Sequence, residues 1–179
     1  MALKPTIFKF RIALSDTNRD YYDTVNLTIA QHPSENLPRM MARVLAFCLN
    51  AQEGLTFTKG LSNIDEPDIW LQSLDGQTEL WIEVGEPAVD RIKKACRQAK
   101  SVKVYSFNSK SNVWWEQTKN KVTQYPVEIV RFPWEPIEEL ANNLVRTMEL
   151  SIMLTGTSLF IDSDSGSTEV CWETLQSNE

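Results

Sequence analysis

The sequence predicts an α+β fold of mixed α/β character, in which strands and helices alternate along 179 residues. Three observations carry this prediction. Apolar and polar residues alternate over 6–14, apolar residues recur at helical spacing over 37–50 and 88–100, and Asp75-Gly76 is a strong hairpin signal. Because no repeat, low-complexity run or linker divides the chain, we expect one domain over its whole length.

The N-terminal half is predicted to begin with a strand over 6–14, whose alternating Phe, Phe, Ile and Leu residues form a buried face. A second strand over 25–30 returns beside it. Ser34 or Asn36 can then cap a helix that runs from 37 to about 50. Further strands are expected over 55–58, 68–74 and 79–84, and the last two are joined by the Asp75-Gly76 turn.

The C-terminal half continues this alternation. Helices are expected over 88–100, near 111–119 and over about 135–147, with strands over 102–107 and 127–132 between them. Strands are then expected over 150–154 and 158–162, separated at Gly156, and residues 169–175 are expected to pair beside them.

The scarcity of histidine and the pattern of cysteines exclude several chemistries. His32 is the only histidine, so zinc sites built on two or three imidazoles are excluded. A Ser-His-Asp arrangement would have to use His32, which precedes Pro33 at the predicted helix start, where a loop residue is favoured. The three cysteines are an odd number without CxxC spacing, which predicts buried free thiols in the reducing cytoplasm.

The longest apolar run, residues 44–49, is too short for a signal peptide or a membrane span, so we expect a cytoplasmic protein. Its 18 basic and 24 acidic residues give a net charge of −6. Proteins that coat nucleic acid without sequence preference are usually basic overall. The total charge therefore argues against that class of protein.

The charge is unevenly distributed along the chain. Residues 53–90 hold nine acids and one base, and residues 91–103 hold six bases and no acid. A solvated helix face after acidic loops is the ordinary explanation. The alternative is an acidic cation site beside a positive surface that meets phosphates. The bases that would then contact nucleic acid are Arg91, Lys93, Lys94, Arg97 and Lys100.

Two acids are predicted to meet across the hairpin. Asp68 lies seven positions before Asp75, and Glu83 lies seven positions after Gly76, so they become antiparallel neighbours if this dipeptide is the turn. Opposed carboxylates repel each other unless a cation or a basic side chain lies between them. Asp68 and Glu83 are therefore candidate metal ligands.

Several segments resemble a known family. The order of helix, three strands, helix and strand over 37–107 is similar to the core of the PD-(D/E)XK nuclease superfamily. The more specific resemblance is to the YaeQ family of bacterial proteins. It rests on 55–62, 65–70, 79–87 and 91–96, together with 1–4, 32–35 and 113–115. The resemblance implies a nuclease-like mixed β-sheet flanked by helices, with extra N- and C-terminal β-hairpins.

The resemblance also implies a set of site residues. Asp68 and Glu83 would hold Mg²⁺ or Mn²⁺, and Glu35 is similar to an accessory acid at the start of the first helix. For Glu35, an anion favoured by the helix N-terminus is the alternative. Gly85 occupies the position of the motif's lysine, which normally helps to orient and deprotonate the attacking water. The absence of that lysine removes part of the nuclease mechanism.

A lysine from elsewhere in the chain could compensate, and the candidates are Lys93, Lys94 and Lys59. On a helical wheel, Lys93 lies about 100° and Lys94 about 200° from the core direction, which favours Lys93. Lys94 instead falls within the segment that resembles the family most. Both are therefore candidate catalytic residues together with Asp68 and Glu83, and solvated surface lysines are the alternative.

Two functions follow from the sequence. The first is a nuclease or phosphodiesterase that depends on Mg²⁺ or Mn²⁺ and has a variant active site. The second is a non-catalytic module on the same fold that binds nucleic acid or protein, and the missing lysine and the net acidity favour it.

Overall fold

The computed structural model describes residues 4–58 and 64–178. Within them the strands are Thr6–Asp16 (β1), Tyr21–Gln31 (β2), Thr56–Phe57 (β3), Ile69–Gln72 (β4), Thr78–Val84 (β5), Ala99–Ser106 (β6), Val127–Arg131 (β7), Thr147–Thr155 (β8), Ser158–Ser163 (β9), Gly166–Cys171 (β10) and Glu173–Gln176 (β11). The helices are Leu37–Asn50 (α1), Val89–Gln98 (α2), Ser111–Val122 (α3) and Trp134–Asn142 (α4).

The strands form two mixed sheets. The first, which we call the outer sheet, has the order β10-β9-β8-β1-β2, with β1 parallel to β8 and the other pairs antiparallel. The second, which we call the central sheet, has the order β11-β7-β6-β5-β4-β3. In the central sheet β5, β6 and β7 are parallel, and β4, β3 and β11 are antiparallel to their neighbours.

Helices α1 and α4 lie between the two sheets, and their apolar residues share one core with both. Ten of the fourteen residues of α1 are buried, as expected for a helix covered on both sides. Helices α2 and α3 cover the other face of the central sheet in a second core with Trp81, Val104 and Ile129. No described helix or strand covers the outer face of the outer sheet, and exposed residues alternate with buried ones along β1 and β8.

The predicted mixed α+β fold is confirmed, and most elements begin or end within a few residues of their predicted bounds. Helix α1 spans 37–50 as predicted, and the Asn36 side chain caps it by accepting from the Arg39 N–H at 2.9 Å. The terminal hairpins do not form separate additions. They pair through β1 and β8 into one sheet, which joins the two ends of the chain.

Three details of the prediction are wrong. The helix predicted over 135–147 ends at Asn142, because Thr147–Glu149 pairs with β1. The strand predicted over 169–175 is two strands in different sheets, and the chain crosses between them at Trp172. The cysteines are free, but only Cys48 is buried, Cys96 is half-buried and Cys171 is exposed.

Candidate functional site

The predicted hairpin places Asp68 and Glu83 side by side. β4 pairs antiparallel with β5, with Ile69 opposite Ile82, and Asp68 and Glu83 are the next residues on each strand. The Asp68 N–H continues the ladder by donating to the Ile82 carbonyl at 3.0 Å. Both side chains are buried, with Asp68 3% and Glu83 5% exposed. The prediction that these two acids are neighbours is therefore confirmed.

Both oxygens of Asp68 already have partners. Oδ1 accepts from Nη2 of Arg39 at 2.6 Å, and Oδ2 accepts from the Val84 N–H at 2.8 Å. The same Arg39 nitrogen donates to the Val84 carbonyl at 3.2 Å. Arg39 therefore bridges α1 to the end of β5 and neutralises Asp68 there.

Both oxygens of Glu35 are occupied in the same way. Nη1 of Arg39 donates to Oε2 at 2.6 Å, and Arg43 donates through Nη2 to Oε1 at 2.6 Å and through Nε to Oε2 at 2.9 Å. Glu35 and Arg43 are 5% and 3% exposed, so this two-pronged pair is shielded from water. Arg39 thus joins two buried carboxylates, those of Glu35 and Asp68.

Glu83 has a third arginine. Its Oε1 accepts from Nε1 of Trp81 at 2.8 Å and lies 2.8 Å from Nη2 of Arg91 on α2. Arg91 also donates to the carbonyls of Ile64 and Glu66, at 2.7 and 2.8 Å. It therefore ties the segment before β4 to β5. Three carboxylates and three guanidinium groups make up this cluster, which we call the arginine–carboxylate cluster.

Gly85 follows the last residue of β5 beside the cluster, and its backbone conformation disfavours a lysine at this position. Its φ is +124°, a conformation that residues with a side chain rarely adopt. A Cβ at this position would meet no atom within 4 Å, so the obstacle to a lysine is backbone strain and not crowding. The Gly85 N–H donates to the Tyr105 carbonyl at 2.8 Å, which fixes this geometry.

The cluster does not fit a divalent cation in the arrangement that the structure has. Each of its three carboxylates has a guanidinium nitrogen within 2.8 Å, and no described group of three or more His, Cys, Asp or Glu side chains is arranged to hold a metal. Mg²⁺ or Mn²⁺ would need carboxylate oxygens that now accept from arginine. Arg39 would have to leave Glu35 and Asp68 first, and Arg91 would have to leave Glu83 for that acid to take part.

Comparison with known proteins assigns the chain to a protein family. The model of the YaeQ family, described as YaeQ protein, matches residues 1–172. The chain belongs to the YaeQ family. It is 37% identical over 172 residues to the "Uncharacterized protein YaeQ" of Escherichia coli (strain K12), and equally to that of Salmonella typhi, with 95% of each chain covered.

Two crystal structures of YaeQ proteins have the same fold. The structure from Xanthomonas axonopodis pv. citri superposes with a TM-score of 0.93 at 32% identity and covers 97% of this chain and 99% of its own. That from Pseudomonas syringae superposes with a TM-score of 0.92 at 34% identity and 96% coverage of both chains. Among the described residues of this YaeQ chain, no helix is long and apolar enough to cross a membrane.

The two candidate lysines lie on α2 in different surroundings. Nζ of Lys94 lies 2.8 Å from Asp65, and Lys93 is half-buried on α2 without an ion pair in the described part of the chain. Neither lysine contacts Asp68 or Glu83 there. Lys59 lies outside the described residues. Catalytic roles for Lys93 and Lys94 therefore stay predictions.

The arginines that hold the acids were not predicted from the sequence. Glu35, Arg39 and Arg43 are spaced four residues apart, which places them on one side of the first helix and its entry. Arg43 also stands within the most apolar stretch of the chain, where an unpaired charge would be costly. Those two signals could have identified the pair with Glu35. The third arginine, Arg91, was considered only as a nucleic-acid contact.

The environment of Glu83 disfavours its charged form. Burial raises the pKa of Glu83 above its ordinary value, and the neighbouring Asp68 carboxylate raises it further. Hydrogen bonds from Arg91 and Trp81 act in the opposite direction without cancelling the rise. For a raised carboxyl pKa, the stability contribution is complete below the unfolded-state pKa and is lost as pH rises through the folded-state pKa.

We therefore expect Glu83→Gln to stabilise the protein at pH 7, since it removes a buried charge and the repulsion from Asp68 while the glutamine oxygen can still accept from Trp81 and Arg91. The difference should shrink at pH 3, which lies below the unfolded-state glutamate pKa of about 4.3, because the protonated form of Glu83 then predominates in both the folded and unfolded states. Urea unfolding at both pH values measures it. Glu79→Gln, at a partly exposed acid that pairs with Lys100, is the control and should change stability by less than about 0.5 kcal/mol. A destabilised Glu83→Gln at pH 7 would contradict this account.

Proposed function

We propose that this YaeQ chain is a non-catalytic protein-binding module built on a nuclease-like core. The observation that carries this proposal is the arginine–carboxylate cluster. Arg39 joins Glu35 to Asp68, and Arg91 holds Glu83, so arginines neutralise the acids that a hydrolase would use for its metal.

The electrostatics of the cluster support this proposal. A guanidinium stays protonated at any ordinary pH, so the positive charges at Arg39, Arg43 and Arg91 are permanent. A divalent cation placed among the acids would meet these charges as well as the carboxylates. Gly85 adds to the argument, because its backbone conformation disfavours the lysine that a hydrolase places there.

The order and packing of the elements support a nuclease-like core. α1 is followed by the antiparallel strands β3, β4 and β5, and then α2 leads to β6, which is parallel to β5. α1 packs on one face of the central sheet and α2 on the other. This arrangement is the one that the resemblance to the PD-(D/E)XK superfamily implies.

The basic side chains on and just after α2 favour a protein partner over nucleic acid, because most of them are already ion-paired. Arg91, Lys94 and Lys100 each have a carboxylate within 3.1 Å, which leaves Lys93 and Arg97 without an ion pair in the described part of the chain. This reduces the charge available to neutralise phosphates. The uncovered face of the outer sheet offers a protein partner both polar and apolar groups. The free cysteines support a cytoplasmic setting.

A second candidate is a phosphodiesterase or nuclease that depends on Mg²⁺ or Mn²⁺. The adjacency of Asp68 and Glu83 at a strand pair favours it, because opposed acids at such a position are suited to binding a cation. Asp68, Glu83 and Glu35 would hold the metal, and Lys93 or Lys94 would assist. The metal would stabilise charge on the phosphate. This function requires Arg39 and Arg91 to leave the acids.

Two measurements on the purified protein decide between these functions. We expect no Mn²⁺ binding by calorimetry or by electron paramagnetic resonance, and no Mn²⁺-dependent cleavage of single- or double-stranded DNA or RNA. Gly85→Lys should not create cleavage. Cleavage by the wild type that Asp68→Ala abolishes would establish the hydrolase and overturn the proposal. Tight binding of any of these nucleic acids would overturn the choice of a protein partner.

A further inference from the structure

The strand β2 is a long free edge of the outer sheet. It has eleven residues, and on one side it pairs with β1 in an unbroken register from Thr6–Gln31 to Asp16–Tyr21. No strand of the described chain lies on its other side, since β2 ends the sheet order. Exposed edges of this kind are templates for pairing with another strand.

The outward backbone groups of β2 follow from the ladder of β1. The Lys9 N–H donates to the Arg146 carbonyl beside β8, so alternate residues of β1, starting at Phe8, face β2. The partners of these β1 residues are the odd-numbered residues of β2. The backbone N–H and C=O groups of the even-numbered residues therefore point away from β1, toward the free side of the strand. Of these, Tyr22, Asn26 and Thr28 have backbone N–H and C=O groups without a hydrogen-bond partner among the residues described.

Two of the outward backbone groups of this edge are occupied by side chains of the described residues. The Thr24 N–H donates to the Asp23 side chain at 2.8 Å, and Nη2 of Arg43 donates to the Ala30 carbonyl at 3.2 Å. The stretch from 22 to 28 thus keeps most of its outward donors and acceptors. A strand added there would gain main-chain hydrogen bonds that the isolated chain does not make.

The strands at the other edges of the two sheets are shorter than β2. β3 has two residues, β10 has six, and β11 has four with an irregular register against β7. Proteins blunt edge strands by making them short, by adding lysine or proline, or by inserting a bulge. β2 has none of these features, and its one charged residue is Asp23.

We propose that the β2 edge binds a second copy of this chain, so that two outer sheets join into one ten-stranded sheet through antiparallel β2 strands. A two-fold axis at Asn26 would place Thr24 opposite Thr28 on the exposed face, a favourable cross-strand pair. On the buried face it would place Val25 opposite Leu27. Both faces are therefore self-complementary.

The charge pattern also suits a second copy. In this register Asp23 lies opposite Ile29 of the other chain, so no two like charges face each other across the joint. The exposed face is paired with an exposed face, and the apolar layer under β2 continues into the partner. This proposal goes beyond the binding function proposed above and does not depend on whether the cluster binds metal.

Sedimentation velocity over a range of protein concentrations tests the proposal. We expect the wild type to show a concentration-dependent dimer, and Asn26→Lys to weaken it by at least about tenfold, because the axis brings the two lysines together. The matched control is Ser151→Lys, which adds a lysine to the same exposed face on the interior strand β8 and should keep the dimer. Circular dichroism confirms that each variant is folded.

A second variant removes a donor in place of adding charge. Thr28→Pro deletes an outward N–H that does not pair with β1, so it should abolish the dimer in a folded protein. A wild type that stays monomeric at all concentrations overturns the proposal. A dimer that survives both Asn26→Lys and Thr28→Pro also overturns it, and would assign self-association to another surface.

Discussion

Replacement of Glu35 by alanine is expected to lower the free energy of unfolding by about 3–5 kcal/mol. Glu35 accepts three hydrogen bonds from Arg39 and Arg43, and Arg43 is itself almost fully buried. Without the carboxylate, Arg43 keeps its charge inside the core, where its remaining contacts among the described residues are a hydrogen bond to the Ala30 carbonyl and the face of the Phe57 ring. Urea unfolding at pH 7 measures the loss, and the midpoint of thermal unfolding should fall by about 6–20 °C.

Two controls separate a buried charge from ordinary packing loss. Glu79→Ala removes the partly exposed ion pair with Lys100 and should cost less than about 1 kcal/mol. Glu35→Leu combined with Arg43→Leu removes both charges of the buried pair and should cost less than Glu35→Ala alone, because no charge at position 43 is left unpaired. A loss below about 1 kcal/mol for Glu35→Ala would show that the cluster contributes little to folding.

The fold was predictable where the signals are local. The Asn36 cap, the apolar spacing of α1 and the Asp75-Gly76 turn lie within a few residues of the elements they define. The union of the terminal hairpins was not predictable in this way, because β1 and β8 are separated by more than a hundred residues and their pairing depends on tertiary contacts. The crossing at Trp172 was missed for the same reason, since one continuous strand pattern serves two sheets.

The arginine–carboxylate cluster shows the same division between features set by local sequence and features set by tertiary packing. The adjacency of Asp68 and Glu83 followed from equal spacing around a turn, which is a local property. The partner of Asp68 is Arg39, 29 positions away, and its approach depends on the packing of α1 against the central sheet. The sequence names Gly85 but not its φ of +124°, so the absence of a lysine could be observed there without its structural reason.

Removal of Arg39 is expected to create a Mn²⁺ site that the wild type lacks. Arg39→Ala frees Oδ1 of Asp68 and removes one of the two hydrogen bonds that Oε2 of Glu35 accepts. It leaves a buried excess of negative charge that a divalent cation can neutralise. In the absence of metal we expect a loss of about 3 kcal/mol. Mn²⁺ at 100 times its dissociation constant should restore about 2.7 kcal/mol, which thermal unfolding with and without Mn²⁺ measures.

The double variant Arg39→Ala with Asp68→Asn is the control for this prediction. It removes the excess negative charge and the Asp68 carboxylate that would bind the metal. In the absence of metal it should therefore be more stable than Arg39→Ala, and it should not respond to Mn²⁺. Arg97→Ala, at an exposed position of α2, should be as stable as the wild type. Like the wild type, it should not respond to Mn²⁺. If Mn²⁺ stabilises the wild type as much as it stabilises Arg39→Ala, Arg39 does not occupy the cation position, and the hydrolase becomes the better account of the cluster.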